Sequence, residues 1–383
     1  MSTGAGRWRR IAGACVVVVT IVLPVLVHLA RHDLNPTAFF RIGDRLPLSP
    51  RLNPDRVVRF PGELGYDGQF YLAIALDPLL SDPGTIVALD APRYRYRRIL
   101  FPALGWVVGA GRPDLIPWGL LAILMASFAG LALTLGELGR LRCCRGPAEL
   151  LALALVGAWV CLFLGTAGLL SAFFLAQALL GYELGQGRRT WVALALAGLV
   201  RETSLLLVPA FVFAAARRSG RRAALATATA AVPALVWNAW VLVRVPGRGG
   251  VGLEGNFAWP FAGLAGKLVS LPAVCTSAKG GFEALMFLSL LLTAAGALWA
   301  GVSRIHERPH LVGLAVLLCG LLACAGPRIV DYYVGYCRVF LDLFVVAAVL
   351  ALSVRRSWSL RIALGLQTLG SLAYVLHVVT GIG

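Results

Sequence analysis

Long apolar runs, most of them bounded by a small group of arginines, recur along nearly the whole chain and constrain its fold more than any single motif. A helix needs about 20 apolar residues to cross roughly 30 Å of hydrocarbon. Such runs take up most of the 383 residues, of which 59% are hydrophobic and only 14% charged. That balance excludes both a disordered chain and an ordinary soluble enzyme. The expected architecture is an all-α, polytopic, single integral membrane domain over residues 1–383.

The formal net charge of +17 raises the question of a nucleic-acid partner, because clustered arginine neutralises phosphates. The placement of the charge argues against one. Arginines stand between apolar runs: Arg7, Arg9 and Arg10; Arg140, Arg142 and Arg145; Arg188 and Arg189; Arg217, Arg218, Arg221 and Arg222; Arg304 and Arg308; Arg355 and Arg356. This is the positive-inside pattern of cytoplasmic loops. It predicts a lipid bilayer as the surroundings and no nucleic acid. Lysine is nearly absent, with only Lys267 and Lys279.

The first run, Ile11 to Ala30, follows Arg7, Arg9 and Arg10 and has no small-residue cleavage site. It reads as an uncleaved signal-anchor helix with the N-terminus in the cytoplasm. Residues 32–113 contain no clean span and carry Asp33, Asp44, Asp55, Glu63, Asp67, Asp77, Asp82 and Asp90. They are expected to form a large extracytoplasmic loop, in which Ile99–Gly111 is too short to cross and reads as an interfacial or re-entrant helix. Later runs bring the expected number of spans to about eleven, the last ending near Val379, which puts the C-terminus outside the plasma (inner) membrane. The Trp191–Ala216 stretch reads as two short helices joined near Arg201-Glu202-Thr203, and residues 244–283 as a second outer loop with an amphipathic stretch at Phe257–Leu271.

Among the cysteines, Cys15, Cys161, Cys319 and Cys324 lie in apolar runs and read as small hydrophobes. Cys143 and Cys144 fall on the reducing side, and Cys275 and Cys337 on the oxidising side, where a disulfide between them is open. His306-Glu307-Arg308-Pro309-His310 fits the H-E-x-x-H zinc motif. Pro309 disrupts the helix that this motif needs, so the segment reads as a loop. Gly247–Gly255 follows no strand and is not expected to cradle phosphate, and Gly181 and Gly185 read as a helix-packing notch.

The first outer loop is less easily explained. Gly65-Tyr66-Asp67-Gly68-Gln69-Phe70-Tyr71 sets one carboxylate between glycines and aromatic rings, and Arg93-Tyr94-Arg95-Tyr96-Arg97-Arg98 follows where the chain returns to the membrane. An aromatic belt accounts for the tyrosines but not for an acid so flanked or for four clustered cations. Arginine binds phosphate bidentately and tyrosine can hold a sugar face. Asp67 with Tyr66, Gln69, Tyr71, Arg95, Arg97 and Arg98 is therefore expected to bind a phosphorylated, lipid-borne sugar. Arg201 and Glu202 are costly between apolar runs unless they face a cavity or each other. Arg338, after a tyrosine cluster, runs against the positive-inside bias.

At these residues the chain resembles the polytopic, polyprenyl-phosphate-sugar-dependent glycosyltransferases of the GT-C superfold, in particular bacterial membrane proteins of cell-surface glycopolymer formation. The resemblance is carried by Gly65–Tyr71, by the Arg93–Pro102 run, by Arg201-Glu202-Thr203 and by Tyr336-Cys337-Arg338-Val339-Phe340. It implies transfer of a sugar from a lipid-phosphate donor to a cell-envelope glycan or lipid acceptor, with Asp67 as general base. Arg95, Arg97, Arg98, Arg201, Glu202 and Arg338 are then the substrate contacts, and Asp44 is the alternative acid. Residue 69 is Gln, so the paired acids of a D-x-D segment are absent. No cofactor is implied, and a divalent metal is left open. A transporter or flippase of lipid-linked sugars would share the topology, but no clear internal repeat is present. An O-antigen-type ligase or polymerase would carry its large loop late in the chain.

Overall fold

A computed structural model describes residues 3–144, 146–247, 255–303, 306–353 and 357–381. Arg145, Arg304, Arg355, Arg356 and residues 248–254 of the glycine-rich stretch lie outside the described residues. The described residues are mostly helical, with one pair of two-residue parallel strands among them, Ile42–Gly43 and Arg59–Phe60. Among the described residues, five helices are long and apolar enough to cross a membrane: Arg10–Ala30, Ile116–Leu141, Arg221–Arg244, Ala278–Val302 and Trp358–Thr380. Tyr333–Val339 and Leu341–Ala351 make a sixth if they are counted together, and they meet at a 66° bend.

About eleven spans were expected, and the remaining apolar runs form shorter or interrupted helices, for a reason visible in the backbone. Leu155 is extended between Leu151–Ala154 and Val156–Phe163. Arg201 is extended between Gly187–Val200 and the 3-10 turn Glu202–Leu206, with Leu207–Ser219 following. An extended residue stops the intrahelical hydrogen-bond ladder, so the run around Leu155 gives two short helices in place of one span, while the break at Arg201 falls where two short helices were expected.

Burial sorts the helices into centre and rim. Every residue of Val156–Phe163 is buried, as is every residue from Leu341 to Leu350, where Asp342 is the one charged side chain and accepts from Ser171; helices so largely apolar belong inside a bundle. Arg10–Ala30 and Arg221–Arg244 have only 17% of their apolar windows buried and turn most of their hydrophobic surface outward, as helices facing lipid do.

The 32–113 segment folds onto this bundle. Asn35 caps the turn Pro36–Phe40 by accepting the Thr37 amide, which drives Phe39 and Phe40 into the core. Helix Asp67–Leu76 is buried from Gly68 onward except at Gln69, and Gly68 lies so close to the Leu164 carbonyl that a Cβ there would overlap it. Leu100–Val108, within the stretch expected to be a short re-entrant helix, packs against Ile116–Leu141 where Gly105 faces Leu120.

In the 244–283 segment, Ala262–Val274 is helical and is tied down by Lys267, whose Nζ lies 2.9 Å from a Glu283 carboxylate oxygen and also donates to the Asp331 carbonyl. Cys275 is exposed and Cys337 is buried beside Gln367, and both are free thiols. Pro309 opens the helix Pro309–Ala323, so His306 precedes it. His310 turns inward to Glu183 at 3.2 Å, and the two histidines share no helical face. Gly181 abuts Thr190 of the next helix, a close packing contact.

Candidate functional site

Asp67 is the first residue of its helix, preceded by an extended Tyr66 and by Gly65 at φ +85. Gln69 staples this turn. Its Oε1 accepts from the Gly43 amide at 3.1 Å and its Nε2 donates to the Leu64 carbonyl at 2.8 Å, and a Cβ on Gly65 would run into the same side chain. The turn leaves the Asp67 carboxylate between two guanidinia from distant parts of the chain. Nη1 of Arg95 lies 2.9 Å from Oδ1, and Nη1 of Arg338 donates to Oδ2.

Both cations are themselves held. Arg95 clamps Asp90 through two hydrogen bonds of 2.8 Å and stacks on Phe70, 4.3 Å from the ring centre. Arg338 lies over the Tyr66 ring at 4.8 Å. Alongside, Arg98 grips Glu202 in a fork of 2.8 and 2.7 Å, donates to the Tyr94 and Tyr71 hydroxyls, and stacks on Tyr94. Planar two-point pairing of this kind fixes a guanidinium in both position and direction.

These groups line one cavity of about 310 Å³. Tyr66, Asp67, Tyr71, Arg95, Arg98, Arg201, Glu202 and Arg338, singled out from the sequence, all face it. Three others do not line it. Gln69 is the staple just described. Arg97, the residue after the short helix Pro92–Tyr96, has its Nε buried without a partner. Asp44 uses both carboxylate oxygens, each at 3.0 Å, to accept the Gly62 amide and close a turn.

Five guanidinia, of Arg95, Arg98, Arg201, Arg328 and Arg338, face the carboxylates of Asp67, Asp90 and Glu202, a surplus of two positive charges. Every carboxylate is engaged by arginine. Among the described residues, no carboxylate lies within ion-pair distance of Arg201 or Arg328. Arg201 is 7% exposed and donates to the Val339 carbonyl at 3.3 Å. Of the lining guanidinia, those of Arg201 and Arg328 can therefore meet an anion without first giving up an ion pair. Among the described residues, no group of three or more His, Cys, Asp or Glu gathers as a metal site would require.

Burial alone would raise the pKa of Asp67. The guanidinia of Arg338 and Arg95, with Arg98 behind them, override it and hold the carboxyl far below the usual range. It is ionised at neutral pH.

Asp90, Tyr94 and Arg328 were missed as site residues by sequence reasoning. Asp90 lies five residues before Arg95, a spacing that gives no sign of pairing without the turn between them. Arg328 lies in no motif of the sequence, and only the packing of residues 255–257 against 324–328 brings it to the cavity. The chain has no significant match to a protein-family model, to a curated protein or to a solved structure.

Proposed function

We propose that the protein transfers a sugar from a polyprenyl-phosphate donor to a glycan or lipid acceptor of the cell envelope, on the extracytoplasmic face of the plasma membrane. The observation that supports this most is that Asp67, Arg95, Arg98, Arg201 and Arg338, spread over most of the sequence, line one cavity with a positive surplus. The donor's phosphate first meets Arg201 and Arg328, lining cations outside ion-pair distance of any carboxylate among the described residues, and from there reaches Arg95 and Arg338. The acceptor hydroxyl oxygen attacks the anomeric carbon, the bond from that carbon to the phosphate oxygen breaks, and the phosphate keeps the electron pair. The hydroxyl proton goes to Asp67.

Glycosidases need two carboxyl groups because an alkoxide leaves poorly without a proton. A phosphate leaves unaided, so one base and a few cations suffice. A carboxylate gripped by two guanidinia is a weak base. The incoming phosphate competes for Arg95 and Arg338, and each contact it takes from Asp67 makes the carboxylate a stronger base. Base strength is thus acquired when the donor binds. Attack from the face opposite the phosphate inverts the anomeric centre.

The test is transfer in vesicles that contain the purified protein and labelled polyprenyl-phosphate sugar. Release of free polyprenyl phosphate in step with glycosylation of the acceptor marks a transferase, and movement of intact donor across the bilayer marks a flippase. Asp67→Asn should abolish the release at unchanged protein abundance; transfer that persists in this variant removes Asp67 from the mechanism.

A further inference from the structure

A second cavity, of about 370 Å³, lies between the helices Gly187–Val200, Leu207–Ser219 and Arg221–Arg244, with Tyr182 and Phe211 among its lining residues. It lies at the arginine-rich end of the Gly187–Ser219 hairpin, whereas Arg201 and Glu202 lie at the turn of that hairpin. Two of its lining residues are cationic and none is acidic. Arg218 is anchored by a hydrogen bond of 2.7 Å from Nη1 to the Tyr182 carbonyl and lies over the Tyr182 ring at 5.3 Å. Arg188 is exposed, and among the described residues no carboxylate lies within ion-pair distance of it. Gly185, at φ +70, stands with Arg218 Nη2 3.7 Å from where its Cβ would be, and the space beside Gly187 is open.

Two features choose among anions. Arg188 belongs to the first turn of the helix Gly187–Val200, whose leading amides have no acceptor within the helix and favour negative charge. The wall at Ala223, Ala226 and Thr227 belongs to Arg221–Arg244, which turns most of its apolar surface outward, with Leu225 62% exposed. An occupant of this groove therefore comes from the bilayer. Its charged part meets Arg188 and Arg218, and its apolar part runs along the lipid-facing helix. Basic pockets between membrane helices bind anionic headgroups in this way. Trp191, whose Nε1 donates to Thr229 at 2.9 Å, supplies the amphipathic ring typical of that depth.

The geometry points to a binding site for the phosphodiester headgroup of an anionic diacyl phospholipid, in the leaflet at the arginine-rich end. This assignment does not depend on the transferase reading. The experiment is native mass spectrometry of the delipidated full-length protein in detergent, titrated with phosphatidylglycerol and separately with phosphatidylcholine.

Phosphatidylglycerol should bind more tightly, and the double variant Arg188→Gln/Arg218→Gln should weaken it about thirtyfold, from about 1 kcal/mol for each arginine. Arg221→Gln/Arg222→Gln, at the same end but outside the cavity, should leave affinity unchanged. If loss of the Arg218 anchor prevents folding, Arg188→Gln alone, at an exposed residue, should weaken binding about fivefold. Equal affinity for the two lipids, an equal loss in the control pair, or displacement of the lipid by millimolar inorganic phosphate would overturn the assignment.

Discussion

Asp67 is kept as an anion by its neighbours, and this determines what substitution and pH do to it. Asp67→Asn preserves shape and removes one negative charge from a cavity that already has a positive surplus. Donor binding should therefore hold or tighten while turnover falls by about 10²–10⁴, the usual contribution of a general base. Steady-state kinetics check this: a raised KM with unchanged kcat would make Asp67 a binding group only. The carboxyl lies below its unfolded value of about 3.8, so its contribution to stability is complete above that pH and is lost only as pH falls well below it. The pH profile of kcat/KM, which reports the free protein, should accordingly show no acid limb from Asp67 between about pH 5 and pH 7. A limb in that window that disappears in Asp67→Asn contradicts the double ion pair. At this scale the sequence revealed residue types better than directions. Arg95 and Arg97 sit two apart in one basic run, yet only Arg95 lines the cavity, because the short helix Pro92–Tyr96 ends between them. Gln69 occupies the place a second acid would take, and its amide is used to close a turn, a use that depends on Gly43, 26 residues away.

The elements carry the site through a few close approaches. Gly157 of Val156–Phe163 packs against the Cys337 carbonyl of the short helix that bears Arg338, so tightly that a Cβ would overlap it. Gly157→Ala should cost about 1–3 kcal/mol as overpacking and displace Arg338. A lower thermal midpoint together with weaker donor binding is the expected result. Gly266→Ala is the comparison: this position lies within Ala262–Val274 with open space around it, and a methyl there should stabilise by about 0.5–1 kcal/mol. If the two variants shift the midpoint alike, the close contact has been misread. The breaks between elements were legible unevenly. The break at Arg201 could be read from charge, because one unbroken helix would have put arginine pairs on opposite faces of the membrane. The break at Leu155 has no glycine or proline beside it. The freed Val156 amide is satisfied by Oε1 of Gln367 at 3.3 Å, from a helix more than 200 residues later. No local pattern could announce it, and long apolar runs therefore counted as spans where the chain makes shorter helices.

Over the whole molecule, charge divides between two ends. At one end Arg142 pairs with Glu183 at 2.8 Å, beside His310, among the arginine groups that separate the apolar runs. At the other lie the cavity and the 32–113 segment, which holds eight of the 18 Asp and Glu residues. Translocating arginine is costly, so the first end should stay in the cytoplasm and the cavity should open outside. The chain carries its own markers for this. Cys143 and Cys144 follow the helix Ile116–Leu141 at the arginine-rich end, Cys275 precedes Ala278–Val302 near the cavity side, and all three are exposed. A variant that keeps Cys275 alone should react with a membrane-impermeant maleimide on intact cells. One that keeps only Cys143 and Cys144 should react only after the membrane is opened. The reverse pattern would turn the cavity toward the cytoplasm, where soluble sugar nucleotides are available and a donor carried across on a lipid is unnecessary. A transferase drawing on a lipid-phosphate donor outside the cell requires the first outcome, because only then do Asp67 and Arg201 face the compartment in which that donor is the source of activated sugar.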